Sequence, residues 1–364
     1  MPAGIRADQR RHDLLGRTQQ AIGGAIAPVT ASKYQRGVAL YKDMCRDTGL
    51  AAPIYDGFYP PTPSSLMMFT TFLADTGVQE GTIKGHLSAV RRHAGELDLP
   101  DPYTQGKVPP MVSAAITGHQ RKWALEHPFK AKKQAYPVTV DMVHTLVQTC
   151  DRFASPFDAA LVRVIITLAQ ASGGRVGDLL PQSPGEFNAR LHFTTDSVIA
   201  TDDTVTLTIR SSKTDRLYKG RQLVLRDTPG ALSIISALHT WLQFRQAAAK
   251  SEWPSALFIK ADGTPYATQH FRGAMKFLVR TAGLPEGVAG HSFRRGGTST
   301  LANSGFSDAI LQRHGNWKSN VFKQYVDVSD DVAKQIAGVL ANRSTSSHVH
   351  VSTRRASIGD ITSS

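Results

Sequence analysis

Cysteine is scarce in this chain: two among 364 residues, Cys45 and Cys150. Two thiols supply neither a disulfide scaffold nor a Cys-rich zinc module, and their scarcity fits a reducing, intracellular compartment. Long apolar runs are also missing. The longest, Leu161 to Ala169, is interrupted by Arg163 and falls far short of the ~20 residues that span a bilayer, so no membrane is expected as a partner. The polar, charged N-terminus lacks the apolar core of a signal peptide. Acidic residues are in deficit, 29 Asp and Glu against 42 Lys and Arg, for a formal net charge of +13. The pI of about 9.8 suits a polyanion, most often nucleic acid, although a merely basic protein fits it too. What is present, a hydrophobic fraction of 41%, suffices for a packed core and excludes a wholly disordered chain. At roughly 100–200 residues per domain the length predicts two domains.

Residues 1–27 are polar and Gly/Ala-rich and are expected to form a flexible arm. Residues 28–130 carry four helical patterns. The first runs from Thr30 to about Thr48 with Tyr34, Val38, Tyr41 and Met44 on one face. The Pro-rich stretch Pro53 to Pro63 separates it from a second over Ser64 to Ala74. A third covers Gly81 to Leu97, with Ile83, Leu87, Val90 and Ala94 as its apolar stripe, and a fourth covers Pro110 to Leu125. The basic run around Lys130, Lys132 and Lys133 reads as an exposed linker.

Residues 137–341 form the second expected domain. Helices are predicted over Val140–Cys150 (capped by Thr139), Asp158–Ala171, Ala231–Ala247, Thr268–Ala282, Thr298–Asn303, Ser307–Gln312, Ser319–Tyr325 and Ser329–Leu340. Strands are predicted over Phe193–Ile199, Thr204–Ser211 and Gln222–Leu225, with a further short one at Phe258–Ala261. The expected class is therefore mainly α with a small antiparallel β-sheet. Residues 342–364 are Ser/Thr/His/Arg-rich and are expected to be a disordered tail.

Several polar motifs recur in one order. Arg175 follows a Gly pair at the end of an apolar helix, with Asp178 three residues on. Lys213, within Ser211-Ser212-Lys213-Thr214-Asp215, falls at a predicted hairpin tip, with Lys219 in the same turn as an alternative. His291-Ser292-Phe293-Arg294-Arg295-Gly296-Gly297 places a His and an Arg on one face if it opens a helix. His314-Gly315-Asn316-Trp317-Lys318-Ser319 then leads to Tyr325. Taken singly, each is as well explained by a helix cap, a solvated charge or a core aromatic.

Together the second-domain motifs resemble the tyrosine recombinase (phage-type integrase) family. The wording around His291 and Trp317 is most similar to recombinases of eukaryotic mobile elements of the DIRS and Crypton type. The first domain resembles the family's helical core-binding domain, chiefly from Thr82 to Arg92. The resemblance implies a DNA strand-breaking and rejoining enzyme in which Tyr325 attacks the scissile phosphate. Arg175 and Arg294 would hold the non-bridging oxygens, Lys213 would protonate the leaving oxygen, and His291 would act in acid–base catalysis. The family's His or Trp position usually precedes the Tyr by nine residues, which here is Asn316. Trp317, eight before, is favoured, with His314 as the alternative. No cofactor or metal is implied, since Arg, Lys and His supply the positive charge.

Lys84, Arg91, Arg92, Arg121, Lys122, Lys130, Lys132, Lys133 and Arg295 are candidate contacts to DNA phosphates. Each also reads as a solvated charge. Val332, Ile336, Val339 and Leu340 form an apolar stripe after Tyr325. By resemblance that stripe docks on a neighbouring copy, giving a homo-tetramer on paired double-stranded DNA sites. Nuclear residence would follow if the element is eukaryotic. Two other functions are compatible with the sequence: a catalytically silent DNA-binding derivative, and a type IB topoisomerase-like enzyme.

Overall fold

The computed structural model describes residues 13–14, 16–18, 21–22, 24–26, 28–50, 53–54, 57–127, 135–212, 215, 217–317, 319–328 and 330–341. It divides into two compact units, residues 1–132 and 133–364. The predicted tail 342–364, the linker lysines Lys130, Lys132 and Lys133, and Lys213 lie outside the described residues. Within 1–27, residues 13–14, 16–18, 21–22 and 24 are helical. No helix among the described residues is long and apolar enough to cross a membrane.

The first unit contains α1 (Pro28–Asp47), α2 (Pro63–Asp75), α3 (Glu80–Glu96) and α4 (Pro110–Glu126). Thr62 caps α2 by accepting from the Ser65 backbone N–H at 3.2 Å, and Ser65 Oγ accepts from the Thr62 N–H at 2.8 Å. The apolar stripe of α3 (Ile83, Leu87, Val90 and Ala94) is buried against Tyr41, Met44 and Phe69. Helices α1 and α3 approach closely at Gly37, where a Cβ would come within 2.7 Å of His86 Nδ1.

The second unit is built on α6 (Pro156–Ser172), which follows α5 (Val140–Thr149). Thr139 Oγ1 caps α5 by accepting from the Met142 N–H at 3.2 Å. Helix α6 is buried around most of its circumference, from Phe157 to Ala169, as an all-round apolar sequence requires. Gly173 ends it in the left-handed region at φ 53°. The short α7 (Val176–Leu179) follows at once.

Strands β1 (Val198–Ala200), β2 (Thr204–Ile209) and β3 (Arg221–Arg226) form one antiparallel sheet in that order. In β2 the alternating Val205, Leu207 and Ile209 face the core, and Ile209 pairs with Arg221 at the loop end of the hairpin. Helix α8 (Ile234–Ala248) packs on α6, and Trp241 is fully buried there, its Nε1–H donating to the Leu257 carbonyl at 3.0 Å. The chain then passes through α9 (Thr268–Thr281), α10 (Gly290–Asn303), α11 (Asp308–Gly315), a 3₁₀ turn over Asn320–Tyr325, and α12 (Asp330–Ala341).

Four local expectations are corrected. The strand predicted over Phe193–Ile199 begins only at Val198, because Thr194 and Ser197 close a 3₁₀ turn over Thr195–Ser197. Phe258–Ala261 contributes only an isolated bridge, Ile259 to Pro265. Helix α8 starts at Ile234 rather than Ala231: Gly230 turns the chain at φ 105°, and Asp227 Oδ1 accepts from the Ile234 N–H at 2.6 Å. The segment over Ser319–Tyr325 is a 3₁₀ turn rather than an α-helix, and it ends at Tyr325 itself.

Candidate active site

The motif beginning at His291 does open a helix, α10, which starts at Gly290 and so about two turns before the expected Thr298. Its close seating requires Gly296, where a Cβ would lie 2.0 Å from the Val138 carbonyl oxygen. On this helix Arg294 is almost wholly buried, with 1% of its surface exposed. Its Nη1 donates to the Gly173 carbonyl at 3.3 Å and its Nη2 to the Gly315 carbonyl at 2.8 Å. The guanidinium carbon lies 3.8 Å from the centroid of the Trp317 ring and 5.8 Å from that of Tyr325. No carboxylate forms an ion pair with it among the described residues. Burial, and next the charge of Arg175, push its pKa down to about 10.

Arg175 is the N-cap residue of α7, set there by the left-handed turn at Gly173. Asp178 lies in the first turn of α7, its N–H donating to the Arg175 carbonyl at 2.7 Å. Burial raises the Asp178 pKa, and the positive charges of Arg175, Arg294 and Arg221 oppose that rise. Three guanidinium charges therefore act on one carboxylate.

Trp317 reaches Arg294 because Asn316 closes α11 in the left-handed region, at φ 53° and ψ 50°. The chain turns back and lays the indole on Gly315, where a Cβ would meet the ring at 1.6 Å. The same indole lies 5.9 Å from both the Phe322 and Tyr325 rings. The His291 ring lies 6.4 Å from that of Tyr325. His314 sits against Gly173, where a Cβ would come within 3.2 Å of its Nε2. Burial, then the charges of Arg221 and Arg294, lower its pKa.

Arg175, His291, Arg294, His314, Trp317 and Tyr325 thus meet at one place, although the Gly173 turn lies 121 residues before Arg294. Both candidates for the ambiguous position, Trp317 and His314, border Arg294, and only Trp317 stacks on it. Arg221, which sequence reasoning passed over, joins them: its Nη1 approaches the His314 carbonyl at 3.5 Å. Nothing in the sequence marks Arg221 apart from other strand arginines, and only the sheet register brings it here.

Buried side-chain polar atoms without a partner, among the described residues, are Gln170 Oε1, Arg221 Nε, Arg294 Nε and Trp317 Nε1. Three of these four are donors within this one cluster. An orphaned buried donor costs roughly 1–3 kcal/mol, and a native protein carries few of them. Unpaired donors beside an excess of positive charge are what a phosphate oxygen satisfies.

The other candidate cations are distributed differently. Arg91 holds Asp101 with both ends of its fork, at 2.9 and 2.6 Å, and lies over the Tyr103 ring. Arg92 holds Glu96 at 2.7 Å and the Ile22 carbonyl at 2.8 Å. Lys84 pairs with Glu80, and Lys122 approaches Glu126 at 3.9 Å. Arg121 is exposed on α4. Arg295 faces away from Arg294 and pairs with Asp327. Lys219 is exposed and lines a cavity of about 200 Å³ with Ser212, Asp215, Arg221 and Asn316.

The family model described as Phage integrase family matches residues 138–331, more than half of the chain, and the chain belongs to that family, the tyrosine recombinases. Among solved structures it is similar to the XerH site-specific recombinase bound to palindromic difH substrate, a post-cleavage complex, with TM-score 0.58 and 15% identity over 84% of this chain and 79% of that one. The pre-cleavage XerH complex with difH gives TM-score 0.54 and 16% identity, over 85% and 79%. A lambda integrase tetramer bound to a Holliday junction gives 0.51 and 18%, over 87% and 77%. These likenesses establish the fold, a helical recombinase architecture with a small antiparallel sheet. No curated protein sequence matches the chain.

Proposed function

We propose that this protein is a site-specific DNA recombinase that cuts and rejoins duplex DNA through a 3′-phosphotyrosyl intermediate, in the integration or excision of DNA. The observation that carries the reading is the set of unpaired, buried donors on Arg221, Arg294 and Trp317, the last two beside the Tyr325 ring.

The Tyr325 oxygen attacks the scissile phosphorus as its proton passes to His291 or to water. The P–O5′ bond breaks, and the leaving oxygen takes a proton from Lys213, with Lys219 as the alternative donor. The tyrosyl ester conserves the bond energy, so a 5′-hydroxyl from a partner strand reverses the step without ATP. Charge grows on the non-bridging oxygens in the transition state. Arg175, Arg294 and the Trp317 N–H stabilise it there, each such donor worth roughly 10²–10³ in rate. Because these donors are held by α7, α10 and the α11 turn before DNA arrives, little reorganisation is needed when the charge develops.

Duplex DNA is the partner, held on its phosphates by Arg121, Lys122 and the linker lysines Lys130, Lys132 and Lys133, while Lys84, Arg91, Arg92 and Arg295 already share their charge with carboxylates. Residues 28–130 act as the core-binding half and residues 137–341 as the catalytic half. On α12, Ile336 and Val339 are 48% and 77% exposed, which supports docking on a second copy and assembly of a tetramer. The Trp317 spacing supports a DIRS- or Crypton-type relationship, with nuclear residence if the host is eukaryotic. A silent DNA-binding derivative and a type IB topoisomerase-like enzyme are the competing functions.

The test is covalent trapping without added metal, on nicked duplex carrying a site selected from a randomised pool by the full chain. A denaturing gel should show a protein–DNA adduct that Tyr325→Phe lacks. Tight, salt-sensitive binding with no adduct would establish the silent derivative instead, and supercoil relaxation by a monomer would establish the topoisomerase.

A further inference from the structure

Helix α10 carries two polar stripes. His291 and Arg294 lie on the one facing the site. Arg295, Ser299 and Asn303 recur at every fourth residue and form the neighbouring one, about 100° around the helix from Arg294. The second stripe is engaged along its whole length by the three residues Tyr325 to Asp327. Arg295 Nε donates to Asp327 Oδ2 at 2.5 Å, and Arg295 Nη2 donates to Oδ1. Ser299 Oγ donates to the Tyr325 carbonyl at 2.9 Å and accepts from the Asp327 N–H at 2.9 Å. Asn303 Nδ2 donates to the Asp327 carbonyl at 3.0 Å.

Val326 between them is extended, at φ −84° and ψ 119°. In an extended segment residues i and i+2 project to the same side. Asp327 and Tyr325 therefore both face α10, Asp327 onto the second stripe and Tyr325 beside the first. The Arg295 side chain is only 12% exposed, so its fork is committed to this carboxylate in a partly desolvated setting, where a bidentate ion pair is stronger than on an open surface.

We propose that Asp327 and Arg295 are positioning residues for the strand-cleavage reaction, a latch that holds Tyr325 against the phosphate-binding arginines of its own chain. The proposal rests on the reading of Tyr325 as the nucleophile. It assigns Arg295 to the protein's interior organisation and not to the DNA backbone. Its consequence is that each chain cleaves with its own tyrosine, and that severing the latch lets the tyrosine segment leave its own site.

The experiment uses full-length protein and the selected, nicked duplex, with Tyr325→Phe as control. Asp327→Asn, Arg295→Gln and Ser299→Ala are compared with the charge-reversed pair Arg295→Asp/Asp327→Arg. The first-order rate of adduct formation is read at saturating DNA, and duplex affinity is read separately by gel shift at the same salt. A displacement of about 1 Å at a reacting group costs on the order of 10²-fold in rate. Asp327→Asn and Arg295→Gln should each slow cleavage about 10–100-fold. Ser299→Ala should slow it less, affinity should change less than about threefold, and the reversed pair should recover about tenfold over the singles. In a mixture, Arg294→Ala protein, which retains its tyrosine, should cleave in the site of Tyr325→Phe protein only when it also carries Asp327→Asn.

Wild-type rates for Asp327→Asn would overturn the latch. Loss confined to Arg295→Gln, with affinity falling in step, would overturn it too and make Arg295 a DNA contact. An adduct persisting in Tyr325→Phe would instead defeat the nucleophile assignment itself, and the latch with it.

Discussion

The guanidinium of Arg294 lies over the indole of Trp317, 3.8 Å from the ring centroid, and donates a hydrogen bond to Gly315, two residues before that indole. One buried cation thus fixes both the end of α11 and the aromatic that follows it. The carbonyl at a helix C-terminus attracts positive charge, and a desolvated cation over Trp gains about 2 kcal/mol. These contacts offset part of the cost of burying Arg294 without an ion pair, a burial that still pushes its pKa down.

Replacing Arg294 by Met should therefore separate stability from activity. Arg294→Met removes a buried charge that has no ion pair among the described residues and fills similar volume. The folding free energy from urea denaturation is expected to be unchanged or raised by about 1 kcal/mol. Adduct formation in the trapping assay should fall by roughly 10²–10³.

Gly315→Ala should displace the indole, since the new Cβ would lie 1.6 Å from the Trp317 ring. The expected cost is about 1–3 kcal/mol in stability, with cleavage lowered at least as far as in Trp317→Ala. Gly297→Ala is the contrast. Its nearest neighbour would be 3.7 Å away, so thermal melting should show it neutral or slightly stabilised, as Ala is the better helix former.

Stability should depend on pH through His314. Burial and the neighbouring Arg221 and Arg294 charges lower its folded pKa below the ordinary 6.5. The unfolded chain then binds the extra proton first as pH falls. The contribution is fully present above about pH 6.5 and is lost as pH drops through the lowered folded value. Urea midpoints between pH 7.5 and 5 should fall less steeply for His314→Gln than for the wild type.

The leaving-group proton distinguishes Lys213 from Lys219. A 5′-bridging phosphorothiolate leaves as a thiolate and needs no acid. Lys213→Ala should cleave ordinary DNA slowly and recover on the sulfur substrate, whereas Lys219→Ala should show no such selective recovery. The opposite pattern in a parallel trapping assay would move the proton donor to Lys219.

Much of the framework was legible because its causes are local. The buried stripe Ile83, Leu87, Val90 and Ala94 and the alternation Val205, Leu207 and Ile209 are direct periodicities. Thr139 lies one residue before α5 and caps it as its type suggests. The strand at Phe193 misled because apolar and β-branched residues there serve a 3₁₀ turn held by Thr194 and Ser197, a hydrogen-bond pattern that periodicity does not register. The start of α10 was obscured by two glycines, Gly296 and Gly297, of which the first is required by the close approach of Val138.

By itself the sequence determined most of the helices, the hairpin and the order of Arg175, His291, Arg294, Trp317 and Tyr325, because propensity, capping and motif spacing act over a few residues. Only the tertiary structure decided that Trp317 stacks on Arg294 through the left-handed turn at Asn316, that Arg221 joins the cluster, and that Arg295 turns to Asp327. Those outcomes depend on which groups lose water together when distant segments pack, and the strength of a charge or an unpaired donor is set by that shared burial and not by its neighbours in the chain.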